Sequence, residues 1–280
     1  GYDFDNALPP GSFSGVVDTT NSYARITPRL GVIWAPTPER GLYANASQGF
    51  LPPEAGELYR GTQVPTLRPS TFDSYEVGGF ARFLGGRLAV DVALYRMDGR
   101  DEIVTVRAAD GSRQNRNAGQ TLHEGIEYAV VVQPNAVWSA RLSATNSRHE
   151  YIEFTVDERE GRERVFDGNR MDRAPGFIAN GELAVRPPFA RGLRLAAEVQ
   201  RVSGYWMDPE NTVRYDGHAV LNLRAQYAGR ALRGAELWAT LLNVADTRYA
   251  TTAAVSFGRQ QFTPGLPRAL TIGVGYRLGR

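Results

Sequence analysis

Arginine and aromatic side chains are the residues of this chain best suited to chemistry. A guanidinium offers a planar fork of N–H donors that grips carboxylate or catecholate oxygens, and an aromatic face packs the apolar parts of the same ligand. Tyr59, Arg60, Arg116, Arg170, Tyr205, Trp206 and Phe257 all fall in stretches without hydrophobic periodicity. Such a set suits an anionic metal chelate. Each residue is also of a kind that anchors a loop or joins an interfacial aromatic girdle.

Other chemistries find less support. The chain has no cysteine, which removes thiolate metal sites, disulfides and a thiol nucleophile. His123, His149 and His218 are scattered, none at a metal-ligand spacing to another, so neither a metal site nor a catalytic residue is expected. The "DEREGRER" run reads as a solvated loop rather than a glycosidase carboxylate pair. Gly273, Gly275 and Gly279 miss the dinucleotide-binding spacing, and no cofactor is expected. All 32 basic residues are arginine and they face 30 acids, a net charge of +2 that is too balanced for a nucleic-acid binder.

The elements that must position these residues are strands. With 30 glycines, 16 prolines and 13 tyrosines in 280 residues, the composition favours many strands and turns. No run of about 18 apolar residues occurs, so no membrane-spanning helix is expected. After a lead-in loop or strand remnant over 1–25, period-two alternation marks strands over 26–35, 42–50, 72–83, 88–95, 122–132, 138–145, 177–186, 193–200 and 219–227, and the closing pair falls in 235–250 and 270–278. Leu88, Val90, Val92 and Leu94 against Ala89, Asp91, Ala93 and Tyr95 is the clearest. Residues 51–71, 146–175 and the "SGYWMDPENTVRYDG" stretch read as loops.

Eleven strands have ten connections, short near residues 36, 85, 134, 188 and 231 and long near 60, 111, 160, 208 and 256. Short turns therefore gather at one end and long loops at the other, as an antiparallel up-and-down meander requires. A soluble sandwich would also alternate. The polar face, however, carries Glu, Asp, Arg, Asn and Gln on successive strands, Glu127, Arg141, Glu182 and Arg224 among them, which suits a wet lumen, and the apolar face has the length of a bilayer-spanning strand. Lipid admits only closed sheets. Eleven antiparallel strands cannot close, so either the chain is half of a larger barrel or the count is off by one; in the first case the edge at Leu270 to Leu278 is left without a partner.

Several ordered blocks resemble TonB-dependent outer-membrane receptors of the siderophore type: "TPRLGVIWAPTPERGLYANASQGF", "VALYRMDGRDEIV", "NAGQTLHEGIEYAVVV", "LLNVADTRYA" and "GLPRALTIGVGYRLG". The resemblance covers about 26–280 and implies the C-terminal half of a 22-stranded barrel. It further implies a plug domain outside this chain, coupling to the TonB complex, and import of a ferric siderophore or another scarce nutrient across a Gram-negative outer membrane. Iron would enter only as part of the bound chelate. Glu127, Arg141, Glu182 and Arg224 would face the lumen or plug. Arg280 stands where the family usually ends in an aromatic residue, with Tyr276 nearby. A diffusion porin, a small outer-membrane barrel enzyme using loop-borne Asp and His, and a soluble β-sandwich binding module are the competing readings.

Overall fold

The computed structural model describes residues 2–6, 19–54, 67–107, 113–158, 162–229, 234–256 and 258–276, and among them it is all strand and turn. In chain order these are β1 Tyr2–Asn6, β2 Thr19–Tyr23, β3 Arg29–Thr37, β4 Arg40–Leu51, β5 Ser70–Phe83, β6 Leu88–Arg100, β7 Ile103–Arg107, β8 Arg113–Asn117, β9 Gln120–Val132 and β10 Trp138–Glu153. Then follow β11 Thr155–Glu158, β12 Arg162–Val165, β13 Phe177–Val185, β14 Leu193–Trp206, β15 Arg214–Tyr227, β16 Ala235–Leu242, β17 Ala250–Ser256, β18 Arg259–Pro264 and β19 Ala269–Tyr276.

Eleven of these form one antiparallel sheet in the order β3-β4-β5-β6-β9-β10-β13-β14-β15-β16-β19. Sequence neighbours pair throughout, so the meander is simple. The other eight pair as four hairpins outside it, β1-β2, β7-β8, β11-β12 and β17-β18. Three of those hairpins rise from the connections between β6 and β9, β10 and β13, and β16 and β19, which the sequence pattern reads as plain loops. The lead-in likewise holds a hairpin, β1-β2.

Two further readings are corrected. β10 runs on to Glu153 and β14 to Trp206, well past the last clean alternation, because the strands continue beyond their apolar band. That leaves only residues 207–213 between β14 and β15, no longer than the turn at 186–192. The hairpin at Phe83 to Leu88 is tight because Leu84, Gly85 and Gly86 all take positive φ (53°, 65° and 84°), two of them at no steric cost.

The two faces of the sheet differ. Register places Leu30, Val32, Leu42, Val77, Leu94, Leu142, Leu183, Val199, Leu223, Leu237, Ile272 and Val274 on one face, and all are exposed. Large apolar side chains left open across a whole sheet cost free energy in water and none in lipid. Among the described residues β3 and β19 each have one neighbour in this sheet, and β19 pairs with β16, so the expected unpartnered edge is present there over Ala269–Tyr276.

Candidate functional site

The opposite face is polar and internally paired. Arg141 lies across from Glu182, and Glu182 across from Glu198. Two carboxylates directly opposite would repel, yet each has a guanidinium. Arg141 Nη2 and Arg194 Nη2 both donate to Glu182 Oε1 at 2.7 Å, and Arg224 Nη2 sits 2.8 Å from Glu198 Oε2. Gln226, Trp238 and Thr240 join Arg141, Glu182, Arg194 and Arg224 around an open recess of about 510 Å³. Glu127 lines a second recess with Tyr43, Asp91, Ser143 and Thr145.

Above the apolar band the outer face itself becomes charged. Asp73, Arg96, Asp98, Arg100, Arg148 and Glu150 continue the rows that carry Tyr75, Leu94 and Leu142 lower down, and they pair with one another (Arg96 with Asp98, Arg100 with Asp73, Arg148 with Glu150). This change of polarity marks the upper limit of the apolar belt. Two small cores lie at this end. Val104, Ala118, Tyr151, Phe154, Val156 and Phe166 bury the roots of the β7-β8 and β11-β12 hairpins, and Tyr205, Met207, Ala250 and Ala253 bury that of β17-β18.

At the same end the sheet assembles a polar chain that spacing along the sequence concealed. His123 and His149 face each other across β9 and β10, so the histidines expected to be scattered include a cross-strand pair. His123 Nδ1 is 2.8 Å from His149 Nδ1, and its Nε2 is 2.9 Å from Glu102 Oε2. The Thr121 hydroxyl donates to the same oxygen at 2.7 Å. Burial pushes the Glu102 carboxyl up, but the hydrogen bonds of His123 and Thr121 and the imidazole charge outweigh it and hold the group below its ordinary value. No group of three or more His, Cys, Asp or Glu among the described residues is arranged to hold a metal ion alone.

A β-barrel family model, TonB dependent receptor-like, matches residues 1–275. The chain belongs to this TonB-dependent receptor family. Among curated relatives of the receptor barrel, the metal-pseudopaline receptor CntO of Pseudomonas aeruginosa is 26% identical over 249 residues, covering 88% of this chain and 32% of the relative. The ferrioxamine receptor of Yersinia enterocolitica is 26% identical over 238 residues, covering 84% and 31%. This chain thus spans about a third of the length of those receptors. Among solved structures, the siderophore receptor PiuA of Acinetobacter baumannii superposes with a TM-score of 0.75 at 19% identity, over 95% of this chain and 38% of that one. The ferric yersiniabactin uptake receptor FyuA of Yersinia pestis gives 0.70 at 17%, over 92% and 38%. The sheet is therefore part of a receptor barrel.

Of the ligand-binding candidates on this receptor, Tyr59, Arg60 and Phe257 lie outside the described residues. Arg116 is exposed on β8. Arg170 bridges to β10, where its Nε lies 3.3 Å from Glu150 Oε1. Tyr205 is buried, its hydroxyl accepting from Ala253 N at 2.8 Å, and so fastens the β17-β18 hairpin. Trp206 lies under the Arg214 guanidinium. Arg170 and Tyr205 thus hold loops in place. Neither Glu102 nor the His123–His149 pair was among the candidates, and only the alternation of β9 and β10, extended past their apolar residues, signals the pair.

Proposed function

We propose that this chain is barrel wall of a Gram-negative outer-membrane receptor that imports a metal chelate, a ferric siderophore in the first instance, by transport coupled to the TonB complex. The observation that carries this reading is the eleven-stranded meander of a receptor barrel, apolar on one face and lined on the other by the Arg141–Glu182–Arg194 and Glu198–Arg224 ion pairs. Lipid covers the apolar face, and the polar face lines the lumen. Glu127, Arg141, Glu182 and Arg224 meet the plug domain there. Guanidiniums that outnumber their carboxylates three to two in that ladder favour an anionic partner or cargo.

The chemistry proposed is binding and passage, with no bond made or broken in the cargo by this chain; iron travels as cargo. The named cargoes of related receptors, metal–pseudopaline and ferrioxamine, support the class without fixing the compound. The test is a panel of metal chelates titrated against the full-length protein in detergent, read by tryptophan fluorescence. Tight binding of at least one chelate over its metal-free form is expected. Absence of any chelate binding, together with rapid swelling of liposomes carrying the protein, would instead make it a diffusion porin.

A further inference from the structure

The polar face of the sheet is divided by sign. On β5, β6 and β9 the register turns Glu76, Asp91 and Glu127 to the same side as Tyr43 of β4. The Tyr43 hydroxyl donates to Glu76, and the carboxylates of Asp91 and Glu127 act on that hydroxyl too, so the three acids gather around one point of the wall. Among the described residues no ion pair engages any of the three. Asp91 and Glu127 line a recess of about 270 Å³ with Tyr43, Ser143 and Thr145. From β10 to β15 the sign reverses. Arg141, Arg194 and Arg224 face only two carboxylates, Glu182 and Glu198, around the recess that Trp238 and Thr240 complete.

Both recesses share a second feature. The Tyr43 ring fills the space that a side chain on its cross-strand partner Gly78 would take, and the Trp238 ring does the same over Gly273. Rings laid along the backbone keep the wall low, so a packed body can approach the charges closely. We propose that this wall is a two-signed docking face for the plug domain: a basic patch of the plug seats against Glu76, Asp91 and Glu127, and an acidic patch against Arg141, Arg194 and Arg224. This rests on the import reading above, in which a plug fills the lumen. Glu76 on β5 and Arg224 on β15 stand six strand spacings apart, about 29 Å along the sheet. A small chelate cannot span that width, whereas a folded domain satisfies both signs at once. The paired signs also fix the plug's rotation about the barrel axis, because turning it brings like charges together.

The test places the photocrosslinker p-benzoylphenylalanine at Ala93 or at Thr240 of the full-length receptor in outer membranes, and maps the crosslinked plug peptides by mass spectrometry. Ala93 lines the acidic recess and Thr240 the basic one. Crosslinks from Ala93 are expected on plug segments with a surplus of Arg and Lys, and crosslinks from Thr240 on segments with a surplus of Asp and Glu. A second measurement needs no crosslinker. Asp91→Asn combined with Glu127→Gln, both near-isosteric, should speed hydrogen exchange of the facing plug segment about threefold at low salt and leave the sheet amides unchanged. High salt should erase most of that difference. Crosslinks of the opposite sign, crosslinks to no plug segment, or plug exchange indifferent to the double variant would overturn the proposal. The import reading fails separately: TonB-coupled uptake with crosslinks of the opposite sign upholds import and removes only the docking, and correctly signed crosslinks on a receptor that takes up no chelate do the reverse.

Discussion

Asn243 shows how much one side chain in this barrel can hold. It is 1% exposed, its backbone φ is +48°, its amide donates to Thr247 O and Leu266 O, and its carbonyl accepts from Thr247 N. Its own N–H donates to Asn222 Oδ1. Asparagine tolerates the left-handed conformation and satisfies the crossing of two chain segments at once. Asn243→Ala strands buried polar groups and adds backbone strain, so a loss of about 2–4 kcal/mol is expected in urea unfolding from lipid vesicles. Glu102 gives a pH-dependent counterpart. Its folded pKa lies below its unfolded one, so its ionised form stabilises the root of the β7-β8 hairpin at pH values above the ordinary carboxylate range. That contribution is lost as pH falls through the lowered folded value. Hydrogen-exchange protection around Val104 should fall in acid, and Glu102→Gln should flatten that dependence. Neither role is legible in the sequence: the spacing within "LLNVADTRYA" assigns Asn243 no partner, and His123 and His149 meet only through cross-strand register.

Among the elements, the sheet strands were legible because one face of each is apolar, and Leu88 to Leu94 declares its period unaided. The added hairpins were not, since β8 "RQNRN" and β12 "RERV" put polar residues on both faces and hide the same period. The face assignment has a direct consequence. Val77→Arg, on the apolar face, should cost about 2–4 kcal/mol of folding free energy into lipid vesicles, whereas Ala93→Arg, lining the recess beside Glu127, should cost under half as much. At the loop end, Tyr205→Phe removes the acceptor for Ala253 N. A roughly tenfold drop in exchange protection of that amide is expected, with the sheet amides unchanged.

For the whole molecule, connections alternating along the sequence already implied one antiparallel meander, and the eleven-stranded order bears out that meander, although the β14–β15 connection expected to be long is only 207–213. The ladder of Arg141, Glu182, Arg194, Glu198 and Arg224 then gives a barrel interior a purpose that composition alone, with its near-zero net charge, obscured. Energy-coupled import is the task proposed for this interior, and accumulation of a radiolabelled metal chelate by cells producing the full-length receptor is its sharpest test. Uptake against a gradient is expected, and it should collapse when the TonB complex is deleted or the proton gradient is dissipated. Uptake that equilibrates downhill at the same rate with the TonB complex absent would contradict the account.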